Sequence, residues 1–275
     1  MAYFHHDGID FHFRDEGQGV PFVFMHGLGG NVEQPSTLYE PIPGVRFITL
    51  DFRGHGETRR FGRPENFRFS VFAQDLLALM NDLNIDQAVV GGISMGAGVA
   101  LHFALHYPDK VNGLILSRVA WEDKPMPENN RRVYEEIARH IRQYGPRTGK
   151  TMFLNTDVYK NMEGPFPDTA QSLLRQFEYE YAAETWPKYL YIPRDAPNFD
   201  RSEWEKITVP TLVLANRKDP IHPFEFGQFL AKRIPNALLK EVTSKSVDPI
   251  RHMQECKRYI GEFLTAFLPN GGQGR

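Results

Sequence analysis

The residues best suited to covalent chemistry lie in one short turn, residues 91–96, which read GGISMG. An apolar run precedes this turn and a helical pattern follows it, so Ser94 is expected at a sharp strand-to-helix junction. Such a junction strains the serine backbone, and glycine at positions 92 and 96 removes β-carbons that would collide across the turn. These features predict a nucleophilic serine, and an ordinary helix-capping serine is the simpler alternative.

A serine hydroxyl needs a histidine to take its proton and a carboxylate to orient that histidine. Asp219 follows the apolar run 211–214, at the sheet edge where α/β proteins bind ligands, and is the predicted carboxylate. His252 follows the run 237–242 and completes the chain order serine, aspartate, histidine. We therefore predict that His252 is the base.

Three alternatives to this assignment stay open from the sequence. His222 lies three residues after Asp219 and could replace His252 as the base. Glu122, just beyond another predicted strand, could replace Asp219 as the carboxylate. Asp248 lies near His252 in the sequence and is a further candidate for the same role.

A second glycine-rich turn, residues 26–30 (HGLGG), leaves the apolar run 21–25. Backbone amides in such a turn can point at an anion, and the amides of Leu28 and Met95 are predicted to form an oxyanion hole. Each donor would stabilise the transition state by about 3 to 4 kcal/mol. A phosphate loop is the alternative, but neither GxGxxG nor Gly-Lys-Ser/Thr is present. Residues 51–58 contain one histidine between glycines, too few ligands for a metal, and predict a structural turn.

The elements that would position these residues alternate between strand and helix. An N-terminal hairpin is predicted first, and short apolar runs then predict strands of a mostly parallel sheet flanked by helices, an α/β fold. Between 122 and 206 the alternation stops and only helical stretches remain, notably 131–143 and 169–184. The predicted organisation is a core formed by residues 1–121 and 207–268, a helical cap insertion at 122–206, and a flexible tail at 269–275.

Composition limits the remaining function classes. The 275 residues carry a net charge of −2, which gives no reason to expect a nucleic-acid partner or an anionic membrane surface. The single cysteine, Cys256, excludes an internal disulfide, and no apolar stretch reaches membrane-spanning length. We expect a cytoplasmic protein with a small-molecule substrate and with no metal or organic cofactor, and the sequence leaves homo-oligomerisation open.

Taken together, the motifs resemble the α/β-hydrolase fold superfamily, in its capped, esterase- and lactonase-like branch. The resemblance covers roughly residues 1–121 and 207–268, and its parts are the oxyanion loop at 26–30, the turn at 51–56, the nucleophile elbow at 92–96, the acid Asp219 and the base His252. The family commonly places a glycine before that histidine, where this chain has Arg251.

The resemblance implies a serine hydrolase that cleaves a carboxylic ester or lactone of a small-to-medium molecule through an acyl-enzyme on Ser94. A C–C bond hydrolase or a cofactor-free perhydrolase would use the same three residues. A non-catalytic ligand receptor on a hydrolase fold is the alternative from another class. Ser94 stands where haloalkane dehalogenases of this fold carry an aspartate, which argues against their chemistry.

Overall fold

A computed structural model describes residues 2–268, so the flexible tail predicted at 269–275 lies outside the described residues. One eight-stranded sheet has the order β1-β2-β4-β3-β5-β6-β7-β8. The strands are β1 (Ala2–His6), β2 (Ile9–Gly17), β3 (Val20–Met25), β4 (Val45–Leu50), β5 (Ala88–Ile93), β6 (Val111–Ser117), β7 (Thr211–Ala215) and β8 (Ala237–Glu241). The pairs β1/β2 and β2/β4 are antiparallel and the others are parallel, which confirms the predicted mostly parallel sheet.

Helices flank this sheet and fill the long connection between β6 and β7. Their bounds are α1 (Glu33–Ser36), α2 (Phe69–Asp82), α3 (Met95–His106), α4 (Glu128–Phe153), α5 (Asp157–Glu163), α6 (Pro167–Arg175), α7 (Ala182–Thr185), α8 (Lys188–Tyr191), α9 (Phe224–Arg233) and α10 (Pro249–Thr265). Helix α4 is kinked at Gly145, where φ is +73° and Pro146 follows. In the described part of the chain, no helix has both the length and the apolar character needed to cross a membrane.

The central strands are apolar on both faces because helices cover both. Along β3, Phe22 and Phe24 join an apolar cluster that includes residues of α10, whereas Val23 and Met25 join the cluster that includes α2 and α3. Every residue of β5 is buried. Strands buried in this way appear in the sequence as unbroken apolar runs, which is why the sheet could be predicted.

Residues 122–206 contain α4 to α8 and no strand. The helical stretch predicted at 131–143 lies inside α4, but the one predicted at 169–184 is interrupted, since α6 ends at Arg175 and α7 begins at Ala182. We call residues 122–206 the insertion. It packs on the core through direct hydrogen bonds, including one from the backbone N–H of Phe69 to Asp195 Oδ2 (2.8 Å).

The turn after β4 is organised by the buried carboxylate of Asp51. This side chain contacts the ring of His12 (Nδ1 to Oδ2, 2.7 Å) and accepts the backbone N–H groups of Val32 (2.7 Å) and Glu57 (2.9 Å). A β-carbon at Gly56 would lie 2.3 Å from the same carboxylate. Close packing around Asp51 therefore explains Gly56 as a structural residue, and His55 Nδ1 lies 3.0 Å from the carbonyl of Arg53 within the same turn.

Lys188 of α8 is the insertion's one fully buried lysine among the described residues and is 2% exposed. Its Nζ donates to the carbonyl of Gly54 (2.8 Å) and lies 5.8 and 5.3 Å from the ring centres of Tyr179 and Tyr189. Burial lowers the pKa of this amine to about 7, from an ordinary value of 10.5. Above pH 7, Lys188 of the folded protein has therefore lost a proton that it keeps in the unfolded chain up to about pH 10.5. This difference raises the free energy of unfolding as the pH rises from 7 toward 10.5.

We predict that Lys188→Met removes this pH dependence. Urea unfolding of both proteins should show the free energy of unfolding of the wild type gaining about 2 kcal/mol relative to Lys188→Met between pH 7 and pH 9. Lys232→Met, on an exposed position of α9, is the matched control and should track the wild type at both pH values. If the free energies of unfolding of wild type and Lys188→Met differed by the same amount at pH 7 and at pH 9, burial would not lower the pKa of Lys188.

Candidate active site

Ser94 occupies the single residue between β5 and α3, with φ +55° and ψ −109°. This conformation is strained for a residue with a β-carbon, and close packing holds it in place. A β-carbon at Gly92 would lie 2.3 Å from the carbonyl carbon of Gly96, and one at Gly96 would lie 2.4 Å from the carbonyl oxygen of Met25. The glycines thus let the start of α3 pack directly against the end of β3.

His222 links Ser94 to Asp219. Its Nε2 lies 2.9 Å from Ser94 Oγ, and its Nδ1 lies 2.9 Å from Asp219 Oδ2. An ionised carboxylate can only accept, so Nδ1 carries the proton and donates to Asp219, which leaves Nε2 as the acceptor for the Ser94 hydroxyl. This is the arrangement needed for a histidine to act as general base toward a serine.

A tight loop after β7 explains how an aspartate and a histidine only three residues apart can meet. Asp219 Oδ1 accepts the backbone N–H groups of Ile221 and His222, each at 3.2 Å. This turn folds the His222 ring back over the second carboxylate oxygen, and α9 begins directly after Pro223. Asn130 of α4 donates to the carbonyls of Pro220 (3.1 Å) and Ile221 (3.3 Å), so the insertion also supports the loop.

The predicted pairing of His252 with Ser94 is wrong in this structure. His252 Nδ1 lies 2.8 Å from the carbonyl of Thr243, Nε2 lies 3.6 Å from Cys256 Sγ, and the side chain is fully buried. The physical reason is where α10 begins. Asp248 caps this helix by accepting the N–H of Arg251, so His252 lies in the first helical turn rather than on a loop. Burial lowers its pKa to about 4.

A signal for this correction was present in the sequence. Asp248 followed by Pro249 is a typical helix start, with an aspartate as N-cap and a proline at the first helical position. Recognising it would have placed His252 inside the helix. The alternative carboxylates also have other contacts, because Asp248 serves as this cap and Glu122 lies 3.6 Å from Lys124.

Arg118 is a residue of the site that the sequence analysis did not select. It follows β6 directly, and its Nη2 and Nε donate to Asp219 Oδ2 at 2.7 and 3.1 Å. Burial opposes ionisation of Asp219, but its electrostatic interactions and hydrogen bonds with His222 and Arg118 outweigh it and hold the pKa of Asp219 far below its usual range. No local sequence pattern distinguishes Arg118. It lies next to Asp219 only because β6 and β7 are neighbouring strands.

The electrostatics of the site favour a neutral imidazole. Burial lowers the pKa of His222 from its ordinary value of 6.5, and the charge of Asp219 opposes that effect only in part. The positive charges of Arg118 and Lys245 lower it further. At neutral pH His222 is therefore able to accept a proton.

The glycine loop at 26–30 lies beside this group. Gly27 N–H donates to Gln34 Oε1 (2.7 Å), and a β-carbon at Gly27 would lie 3.4 Å from Ser94 Cβ. Met95 is the first residue of α3, so its N–H has no acceptor inside that helix. The predicted oxyanion donors, Leu28 and Met95, therefore come from two segments that pack against each other.

The insertion reaches the glycine loop as well. A β-carbon at Gly29 would lie 1.7 Å from Gln176 Oε1, and the hydroxyl of Tyr189 donates to that same amide oxygen at 2.9 Å. The insertion therefore contacts both the glycine loop and the loop that carries Asp219 and His222. Across residues 2–268, no group of three or more histidine, cysteine, aspartate or glutamate side chains could hold a metal ion.

Comparison with known proteins gives a consistent result. A family model for the α/β hydrolase fold matches residues 20–247. The AB hydrolase superfamily protein YisY of Bacillus subtilis is 29% identical over 244 residues, which cover 82% of this chain and 84% of the relative. The 3-oxoadipate enol-lactonase 2 of Acinetobacter baylyi is 22% identical, covering 94% of this chain and 98% of its own. Among solved structures, a thermophilic esterase from Thermogutta terrifontis shares the fold with a TM-score of 0.73, at 24% identity and with 97% of each chain covered.

We predict that Gly92→Ala destabilises the protein, because the added methyl group has no space beside Gly96. The free energy of unfolding should fall by about 1 to 3 kcal/mol in urea titrations. Gly164→Ala is the matched control: it has open space and a φ of −71°, and should leave stability unchanged or raise it by up to about 1 kcal/mol. Equal stability of the two variants would contradict the close packing inferred at the Ser94 turn.

Proposed function

Since this chain belongs to the α/β-hydrolase fold family, we propose that it is a serine hydrolase that cleaves a carboxylic ester or lactone through an acyl-enzyme on Ser94. The observation that carries this proposal is the continuous contact from Ser94 Oγ through both ring nitrogens of His222 to Asp219. The strained backbone of Ser94 supports it, because structures retain such strain mainly at functional positions.

In the first half of the reaction, Ser94 Oγ attacks the substrate carbonyl carbon while His222 Nε2 takes the hydroxyl proton. The carbonyl electron pair moves to oxygen, and the resulting oxyanion accepts hydrogen bonds from the amides of Leu28 and Met95. The electron pair on the oxyanion then re-forms the carbonyl as the bond between the carbon and the leaving oxygen breaks. His222 gives its proton to the departing alkoxide, and the acyl-enzyme remains. With a lactone, the new hydroxyl stays on the acyl group.

In the second half, a water molecule attacks the acyl carbon and His222 takes one of its protons. Return of that proton to Ser94 Oγ releases the carboxylic acid and restores the enzyme. Asp219 holds the Nδ1–H tautomer of His222 throughout and stabilises the imidazolium that forms twice in each cycle.

The proposed substrate is a carboxylic ester or lactone of a small-to-medium molecule. Relatives named as an enol-lactonase and an esterase, both covered over nearly their whole length, support these two substrate classes. The insertion contacts both catalytic loops through Asn130 and Gln176, which supports a role for it in shaping the acyl pocket.

We predict that Ser94→Ala, His222→Ala and Asp219→Ala each remove most hydrolysis of p-nitrophenyl acetate. Because the first two residues act as one unit, kcat/KM should fall at least about a thousandfold in Ser94→Ala and in His222→Ala, and little further in the double variant. Purified variants with unchanged circular dichroism should be compared by initial rates.

The matched control for this series is His252→Asn, which can keep a donor toward the Thr243 carbonyl. It should retain kcat/KM within about fivefold of wild type, because His252 does not contact Ser94 or Asp219. Full activity in His222→Ala, or its loss in a folded His252→Asn, would overturn the assignment of the base.

We further predict the pH dependence of kcat/KM. The active form carries neutral His222, and burial lowers the pKa of that group below its ordinary value of 6.5. Activity should therefore rise with pH through a midpoint below 6.5 and be level at neutral pH, as measured with an ester whose own hydrolysis is slow. A midpoint above 6.5 would mean that Asp219 outweighs burial at His222.

A further inference from the structure

Both oxygens of the Asp219 carboxylate accept hydrogen bonds, and the donors are backbone N–H groups, an imidazole and a guanidinium. Oδ1 accepts two backbone N–H groups of its own loop. Oδ2 accepts three N–H groups, one from the imidazole of His222 and two from the guanidinium of Arg118. Orienting a histidine requires only one of those contacts, so the arginine calls for a separate explanation.

The backbone of Arg118 is held in place by the sheet and does not depend on the contacts of its side chain. Its φ is +51°, a conformation that is uncommon for a residue with a β-carbon. Its backbone N–H donates to the carbonyl of Leu214 (2.9 Å), which joins the carboxyl ends of β6 and β7. The side chain of Arg118 is 11% exposed and that of Asp219 is 4% exposed, so little water screens the charge.

We propose that Arg118 is a positioning residue of the hydrolytic site: it holds Asp219 in the orientation that receives His222 and keeps a permanent positive charge beside the imidazole. Two N–H groups of one guanidinium that converge on the same oxygen restrain the carboxylate more strongly than a single donor does. The positive charge opposes protonation of His222, so the imidazole remains a base to lower pH than the Asp219 charge alone would allow. This inference rests on the proposed function.

Other charged and titratable groups face the same network, and their signs are mixed. Lys245, on the loop after β8, acts on His222 in the same direction as Arg118. The groups that interact with Arg118 or with its ion pair come from the insertion and from α10, and they are Asp168, Tyr134, His252 and Cys256. Of all these, only Arg118 contacts Asp219 directly.

The test is a direct titration of His222 by NMR of protein with labelled histidine side chains, in the wild type, Arg118→Met, Arg118→Gln and Arg118→Lys. Loss of one resonance in His222→Gln assigns the signal. We expect the His222 titration midpoint to rise by roughly one pH unit in both neutral variants and to stay within about 0.3 unit in Arg118→Lys. Arg46→Met, which breaks an arginine–aspartate pair at Asp15 on the far part of the sheet, should leave it unchanged.

Steady-state kinetics supply the second readout. The acid limb of kcat/KM should move with the titration in the neutral variants, and the plateau should fall about tenfold in all three because lysine cannot donate in the paired geometry. If Arg118 only maintained the structure, its replacement would lower the kcat/KM plateau without changing the titration midpoint of His222. An unmoved His222 midpoint in folded Arg118→Met and Arg118→Gln overturns the inference. The titration needs no substrate, so absence of hydrolysis in the wild type would count against the proposed function alone.

Discussion

The candidate active site is organised around one hydrogen bond between residues 128 positions apart, from Ser94 Oγ to His222 Nε2. Both partners lie at the carboxyl ends of parallel strands, Ser94 after β5 and His222 after β7, with only β6 between these strands. Neither loop is relaxed: Ser94 has a positive φ, and the turn at Asp219 follows Lys218 with φ +56°. Close packing at the glycines of one loop and a saturated carboxylate in the other hold the two groups within contact distance.

The proposed acid, Asp219, and the proposed base, His222, lie on one loop, whereas the sequence placed the two roles on separate loops. Asp219 uses one oxygen to shape the turn and the other to hold His222 and Arg118. The position of His222 relative to Asp219 therefore depends on local turn geometry rather than on packing between two loops. The loop after β8 carries Lys245 instead, and α10 follows with His252 turned into the core.

Much of the fold was predictable because its signals are local. Strands buried on both faces give apolar runs, and the glycines around Ser94 mark a turn that tolerates no β-carbon. The proposed base was not predictable in this way, since both His222 and His252 follow Asp219 in the chain and the decisive facts were an N-cap at Asp248 and a turn at Asp219. Arg118 could not be found at all without the register of β6 against β7, which brings it next to Asp219.

Covalent labelling can show whether Ser94 is a nucleophile that His222 activates. A fluorophosphonate probe should modify the wild-type protein at a single serine, identified by peptide mass spectrometry as Ser94, and the labelling rate should collapse in His222→Ala but not in His252→Asn. The activation of Ser94 by His222 would be contradicted by modification of a different serine, by absence of labelling in the folded wild type, or by an undiminished labelling rate in His222→Ala.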